Sequence, residues 1–314
     1  REHLILEAVE RVRAAFDAAG IEWLAFKGVA LIREGLYRPG ERSLADADLL
    51  VTPEDATMAV RALEGAGFRP WLPWDPDRLL RLPAFTLHAP SAIGEAEDAA
   101  ALVATVDLHW STRYDELLSR ERPDRDPLWS GALADAGHPG VEEHFVMIAD
   151  HFSKHLRVTT HLTGIADLVR LLPRLSDPER LLRAARIRGI ERRVARVSDL
   201  LVERFGVDPE RLRVLPPPLR PTGTPLPAAL TPEVLILRHG VPERRTGGLR
   251  LRWAMGADPL RDLVGVLFPG RRWLAARHPE ASSTLVRRLR HWREVVAWVA
   301  GRGVSPLSPN QEFE

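Results

Sequence analysis

Asp46 and Asp48 stand two residues apart just before Leu49-Leu50-Val51, and a third aspartate, Asp107, opens the run Asp107-Leu108-His109-Trp110. Residues two apart in a strand share a face, so Asp46 and Asp48 would project together. Such a pair can bridge two hard divalent cations. A third carboxylate on an adjacent strand would hold the ion that lowers the pKa of an attacking hydroxyl and aims it. This is the donor set of two-metal phosphoryl or nucleotidyl transfer. Upstream, Phe26-Lys27-Gly28 adds a cation and a glycine turn, and only Lys27 and Lys154 among the 44 basic residues are lysines. A chain that otherwise uses arginine has kept a compact ammonium at that turn. Asp-x-Asp also occurs at Asp75-Pro76-Asp77 and Asp124-Arg125-Asp126, among prolines and arginines. A solvated turn competes as a reading at all three places, but only Asp46/Asp48 runs into a strand able to bury one face.

The elements that must position these groups follow from the apolar spacing. An amphipathic helix is expected from Leu4 to Ala19, with Leu6, Val9, Val12 and Phe16 on one side and Gly20 ending it. Ile21 to Phe26 reads as a buried strand. Helical spacing over 29–36 then places Lys27 and Gly28 at a helix start, where free amides face an anion. A second strand runs from Asp48 to Val51, and Thr52-Pro53-Glu54-Asp55 supplies the cap, proline and acidic first turn of a helix ending at Gly65 or Gly67. After a Pro- and Trp-rich stretch (Pro70 to Pro83), Ala84–His88 and Ala104–His109 read as strands suited to antiparallel pairing, with a loop containing Gly94 between them. From about residue 141 the pattern is helical, at 141–157, 161–172, 178–188, 190–205, 232–239, 257–267 and 282–300. The proline-rich connection from Leu215 is expected to be extended, either wrapping the surface or acting as a link, and the tail from Gly301 frayed. The expected fold is α+β, a small mixed or antiparallel sheet with flanking helices over 1–120 and an α-helical domain over 121–314 that includes the connection 215–232.

Composition narrows the partners. The 314 residues suit two domains of ordinary size, and a net charge of +1 gives no global field to draw nucleic acid. Zero cysteines exclude disulfides, thiolate metal sites and cysteine catalysis. No apolar run approaches the roughly 18 residues of a spanning helix, and no signal peptide opens the sequence, so a cytoplasmic, membrane-free protein is expected.

Taken in order, Lys27-Gly28, Tyr37, Arg42, Asp46-Ala47-Asp48-Leu49-Leu50-Val51 and Asp107-Leu108-His109-Trp110 resemble an uncharacterised nucleotidyltransferase family with the DNA polymerase beta superfamily fold. His151-Phe152-Ser153-Lys154-His155, Ala166-Asp167-Leu168 and Leu267-Phe268-Pro269 with Trp273-Leu274 extend the resemblance over most of the chain. It implies transfer of a nucleoside monophosphate, AMP in the first instance, from a nucleoside triphosphate to a hydroxyl or phosphate of a small-molecule, peptide or protein acceptor, with pyrophosphate leaving. Asp46 and Asp48 would hold two magnesium ions, with manganese the alternative. Asp107 would hold the catalytic one and take the acceptor proton, while Gly28 and the amides after it cradle the triphosphate beside Lys27 or Arg42. The superfamily's Gly-Ser is here Gly28-Val29, so Lys27 or Ser43 would stand in for the hydroxyl. Two other readings remain, an RNA end as acceptor and a non-catalytic nucleotide-binding or interaction module.

His151 and His155 share a helical face, with His144 two turns earlier, but no glutamate stands at zinc-site spacing. Given the resemblance, Lys154, His151 and His155 are expected to line the cleft. His109 is expected to face away from Asp107, in a supporting or packing role, and Trp110 to pack. The arginines at 183, 186, 188, 192, 193 and 196, and at 287, 288, 290 and 293, read as solvated helix faces rather than an RNA surface.

Overall fold

A computed structural model of the chain describes residues 2–38, 40–70, 84–88, 104–112, 128–129, 137–155, 162–227, 255–256, 267–271, 274–275, 278 and 280–299. The expected helices at 232–239 and over most of 257–267, the Asp75/Asp77 and Asp124/Asp126 pairs, the Gly94 loop, residues 71–83 and the tail from 301 lie outside these.

Helix α1 (Glu2–Ala19) buries Ile5, Val9, Val12 and Phe16, and Gly20 at φ 67° turns the chain into β1 (Trp23–Phe26). Helix α2 (Lys27–Arg33) starts with no intervening loop. Strand β2 (Ala47–Val51), helix α3 (Ala56–Gly65) and strands β3 (Arg69–Pro70), β4 (Ala84–His88) and β5 (Thr105–His109) follow. Thr52 Oγ1 accepts from the Asp55 amide at 3.2 Å, so the expected cap closes a turn one step ahead of α3, because Pro53 to Asp55 form that turn first. The sheet order is β1-β2-β5-β4-β3, with β2 and β5 parallel and the other pairings antiparallel, including β4 with β5 as expected.

Both faces of the central strands are covered, and strand alternation divides them. Ala25, Ala47, Leu49, Val51, Val106 and Leu108 join the core under α1 and α3. Leu24, Phe26 and Leu50 join a second core that continues into the helices α4 (Val141–His155), α5 (Leu162–Leu171), α6 (Pro178–Arg188) and α7 (Glu191–Phe205). Residues 48, 107 and 109 have the parity of the second face, which looks toward the helices.

Two expectations fail in this half. The segment from Leu215 is not extended throughout but contains a 3-10 turn, Pro217–Leu219, as it wraps α7, one of the two courses open to it. Asp199 accepts from the amides of Thr222 (2.6 Å) and Gly223 (3.0 Å), and Leu215, Leu219 and Leu226 are buried. The first arginine cluster is likewise not uniformly solvated. Arg188, Arg193 and Arg196 are buried, each against an acceptor, Thr112 Oγ1 at 2.7 Å, Asp150 at 2.8 Å and Asp199 at 2.6 Å. A paired guanidinium can sit among the leucines that an unpaired one would leave. Helix α8 (Thr284–Val299) closes the described chain. No helix among the described residues is long and apolar enough to cross a membrane.

Candidate active site

The parallel register sets Asp48 directly beside Asp107. His109, two residues further along β5, falls on their face, and its Nε2 lies 3.2 Å from Asp48 Oδ1. The expectation that it would face away from Asp107 is wrong on strand geometry itself, since two residues make a full pleat repeat. Phe26 packs edge-on against its ring at 5.0 Å. Ligand atoms of Asp48, Asp107 and His109 all lie within 4.8 Å of one another. Asp46 precedes the strand but opens onto the same cleft as Asp48 and Asp107.

The two β2 aspartates differ in charge balance. Burial pushes the Asp46 carboxyl up to about 6, with the charge of Asp48 adding to the rise and Lys27 opposing it. Burial pushes on Asp48 in the same direction, but the Lys27 ammonium, 2.6 Å from its Oδ1, and His109 outweigh it and hold the carboxyl well below the usual carboxylate range. One charge of the cluster is thus neutralised from within, and Asp46 carries the strain of the rest. A cation in the cleft would reverse the Asp46 shift.

Lys27 sits at φ 51°, the one positive value among the described non-glycine residues. That conformation costs about 1–3 kcal/mol and needs support. The support comes from helix α4, where buried His144 accepts the Lys27 amide at Nε2, 2.9 Å away. An accepting Nε2 leaves the hydrogen on Nδ1, which lies 3.3 Å from Glu34 Oε1. His144→Leu would orphan the Lys27 amide, and a loss of about 1–3 kcal/mol is expected from urea denaturation. His144→Gln, which can still accept, should recover part of it. Equal losses in both variants would make His144 mere packing.

Gly28 is buried beneath Arg42, whose Nε and Nη2 grip Asp167 at 2.9 and 2.8 Å. The Tyr37 hydroxyl donates to the same carboxylate at 2.6 Å. Burial and then Asp167 push the tyrosine far above its usual range. Arg42 is therefore bound to a carboxylate from α5, and its Nη1 is the part left over the glycine turn. A cleft of about 800 Å³ opens between these parts, with Lys27, Ser43, Asp46 and Asp107 on one side and His151 and Thr163 on the other. Lys154 and His155 belong to α4 by their backbone, and their side chains lie outside the described residues. His144 is fully buried at the Lys27 turn and does not line the cleft. Sequence reasoning missed the His109 contact, which correct counting would have found, and the His144–Lys27 hydrogen bond, which spans 117 residues and left no local signal.

Strand carboxylates set against a glycine turn, across a cleft of nucleotide size, are the parts of a transferase that handles nucleoside phosphates. The chain belongs to a family of uncharacterised nucleotidyltransferases, whose family model matches residues 1–206. The match takes in every residue of the cleft and ends just past α7, so the Leu267-Phe268-Pro269 segment lies beyond it. No curated protein matches the sequence.

Proposed function

We propose that this nucleotidyltransferase moves a nucleoside monophosphate, AMP in the first instance, from a nucleoside triphosphate to a hydroxyl or phosphate oxygen of a small-molecule, peptide or protein acceptor. The observation that supports it most is the Asp48–Asp107 register, with Asp46 alongside and Lys27 Nζ between the carboxylates and the glycine turn. Oxygen donors suit magnesium, and the imidazole of His109 within the cluster admits manganese. The metal, when bound, supplies charge neutralisation and a lowered pKa for the acceptor hydroxyl. Asp46 and Asp48 would hold both ions, with Asp107 also holding the catalytic one and receiving the acceptor proton. The acceptor oxygen bonds to the α-phosphorus as the bond to the pyrophosphate oxygen breaks. Gly28 and its following amides would face the phosphates, with Lys27, Arg42 Nη1 and Ser43 at the rim.

Val29 does not weaken this reading. It is fully buried in the core beneath α1 and α3, so the residue after Gly28 points away from the cleft, and a serine hydroxyl there would not meet a phosphate. The sheet half, residues 1–120, would bind the nucleotide. The helical half, 121–314, would present the acceptor through His151 and Thr163, with Lys154 and His155 on the same helix as His151. The test is isothermal titration with ATP, GTP, CTP and UTP, with and without magnesium, on the wild type and on Asp46→Asn/Asp48→Asn. Magnesium-dependent binding that falls at least tenfold in the variant is expected. Native protein that binds none of the four would leave the non-catalytic module, and salt-sensitive binding of RNA ends would favour the RNA acceptor.

A further inference from the structure

Beyond the family match, helix α8 carries an apolar line that the cleft does not use. Leu285, Leu289, Trp292 and Val296 are 67%, 55%, 39% and 67% exposed. Their 4-3-4 spacing places all four within about 60° of arc on one face. Exposed Met58, Leu162 and Ile187 stand singly on other elements, which is ordinary surface, whereas four in register on one helix form a patch. The adjoining face, beyond Arg288, is committed, with His291 and Val295 buried. Trp292 is fixed in place, its Nε1 donating to the Leu267 carbonyl at 2.6 Å and its ring edge-on to half-exposed Phe268 at 5.8 Å.

We propose that this face docks an amphipathic helix of a protein partner whose flanking positions are acidic. A line one residue wide, with the alternating four- and three-residue steps of a heptad, is the seam of paired helices. A helix lying in a membrane surface presents a broader apolar face. Charge selects the partner. Arg288 and Arg293 border the line on its two sides, the helix carries Arg287 and Arg290 besides, and Glu294 is its lone acid. Arg290 is paired with Glu280. A second copy packed on this face would bring arginine against arginine, whereas glutamates at the flanking positions of a partner would meet Arg288 and Arg293. Two heptads of contact make a small interface, so binding is transient.

The test uses the full chain and two labelled synthetic peptides of three heptads, both with leucine at the core positions, one with glutamate and one with lysine at the flanking positions. Fluorescence anisotropy should show the glutamate peptide binding at least tenfold tighter than the lysine peptide and weakening as salt is raised. Leu289→Glu should remove that binding with circular dichroism unchanged, and Leu289→Ala, the milder change, should weaken it. Equal binding of both peptides, or binding retained in Leu289→Glu, would overturn the proposal. So would a dimer in sedimentation, or partition onto phosphatidylglycerol vesicles, lost in the same variant, by assigning the face to a second copy or to a lipid surface.

Discussion

Asp48→Asn is expected to lower nucleotidyl transfer by about three orders of magnitude while the protein stays folded, because the charge stabilisation a bound metal supplies is several kcal/mol and each 1.36 kcal/mol is tenfold in rate. Asp48 is the member of the cluster that meets everything else. Its Oδ1 lies 2.6 Å from Lys27 Nζ and 3.2 Å from His109 Nε2, and its backbone stands opposite Asp107. Asparagine has the same volume and its amide oxygen can still accept from Lys27, so the site keeps its shape and loses its charge. Two stability effects then oppose each other. The ammonium loses a buried anion, but the Lys27 side chain is 18% exposed and can turn toward water. Asp46, raised to about 6 with Asp48 among the causes, loses a repulsive neighbour. The net change should stay within about 2 kcal/mol by urea denaturation. Pyrophosphate release and magnesium-dependent nucleotide binding read the loss. Wild-type rates in a folded Asp48→Asn protein would move the chemistry elsewhere.

The parts of this architecture that the sequence discloses are those set by local periodicity. Asp48 and Asp107 were legible because each stands in an apolar run, and alternation alone puts them on the face away from Leu49 and Leu108. Helices α6 and α7 were legible to within a residue because Gly189 and Gly206 take left-handed φ at their ends. What was not legible depends on distant chain. Nothing near Arg188, Arg193 or Arg196 tells that Thr112, Asp150 and the wrapped segment at Thr224 will accept from them. The support of Lys27 by His144 is of the same kind, a contact between the first strand–helix turn and the first helix of the second half.

Gly28→Ala is the second large expectation, and it rests on contact rather than on backbone freedom. A Cβ at Gly28 would lie 2.0 Å from Arg42 Nη1, 2.8 Å from its Cζ and 2.5 Å from Leu44 Cδ2. None of these distances is tolerable, and Arg42 has little room to yield. It is held by two hydrogen bonds to Asp167, which is 2% exposed and is also held by Tyr37. To admit one methyl group the guanidinium must leave that carboxylate, and a buried anion stripped of its partner costs about 3–5 kcal/mol. For a chain of this size the melting temperature should fall by about 10 °C. Gly65→Ala at the end of α3 is the control, since a Cβ there meets nothing within 4 Å, and it should be neutral or stabilising by up to about 1 kcal/mol. The functional loss goes further than the stability loss, because the displaced Arg42 and the shifted turn amides are the groups that would face the phosphates. Nucleotide binding measured well below the variant's melting point should therefore drop at least tenfold. An Arg42→Ala background should absorb much of the Gly28→Ala effect in a double-mutant cycle, leaving the Leu44 contact as the residue of it. Full additivity there, or a Gly28→Ala protein that melts like the wild type, would show that Arg42 does not depend on the space glycine leaves.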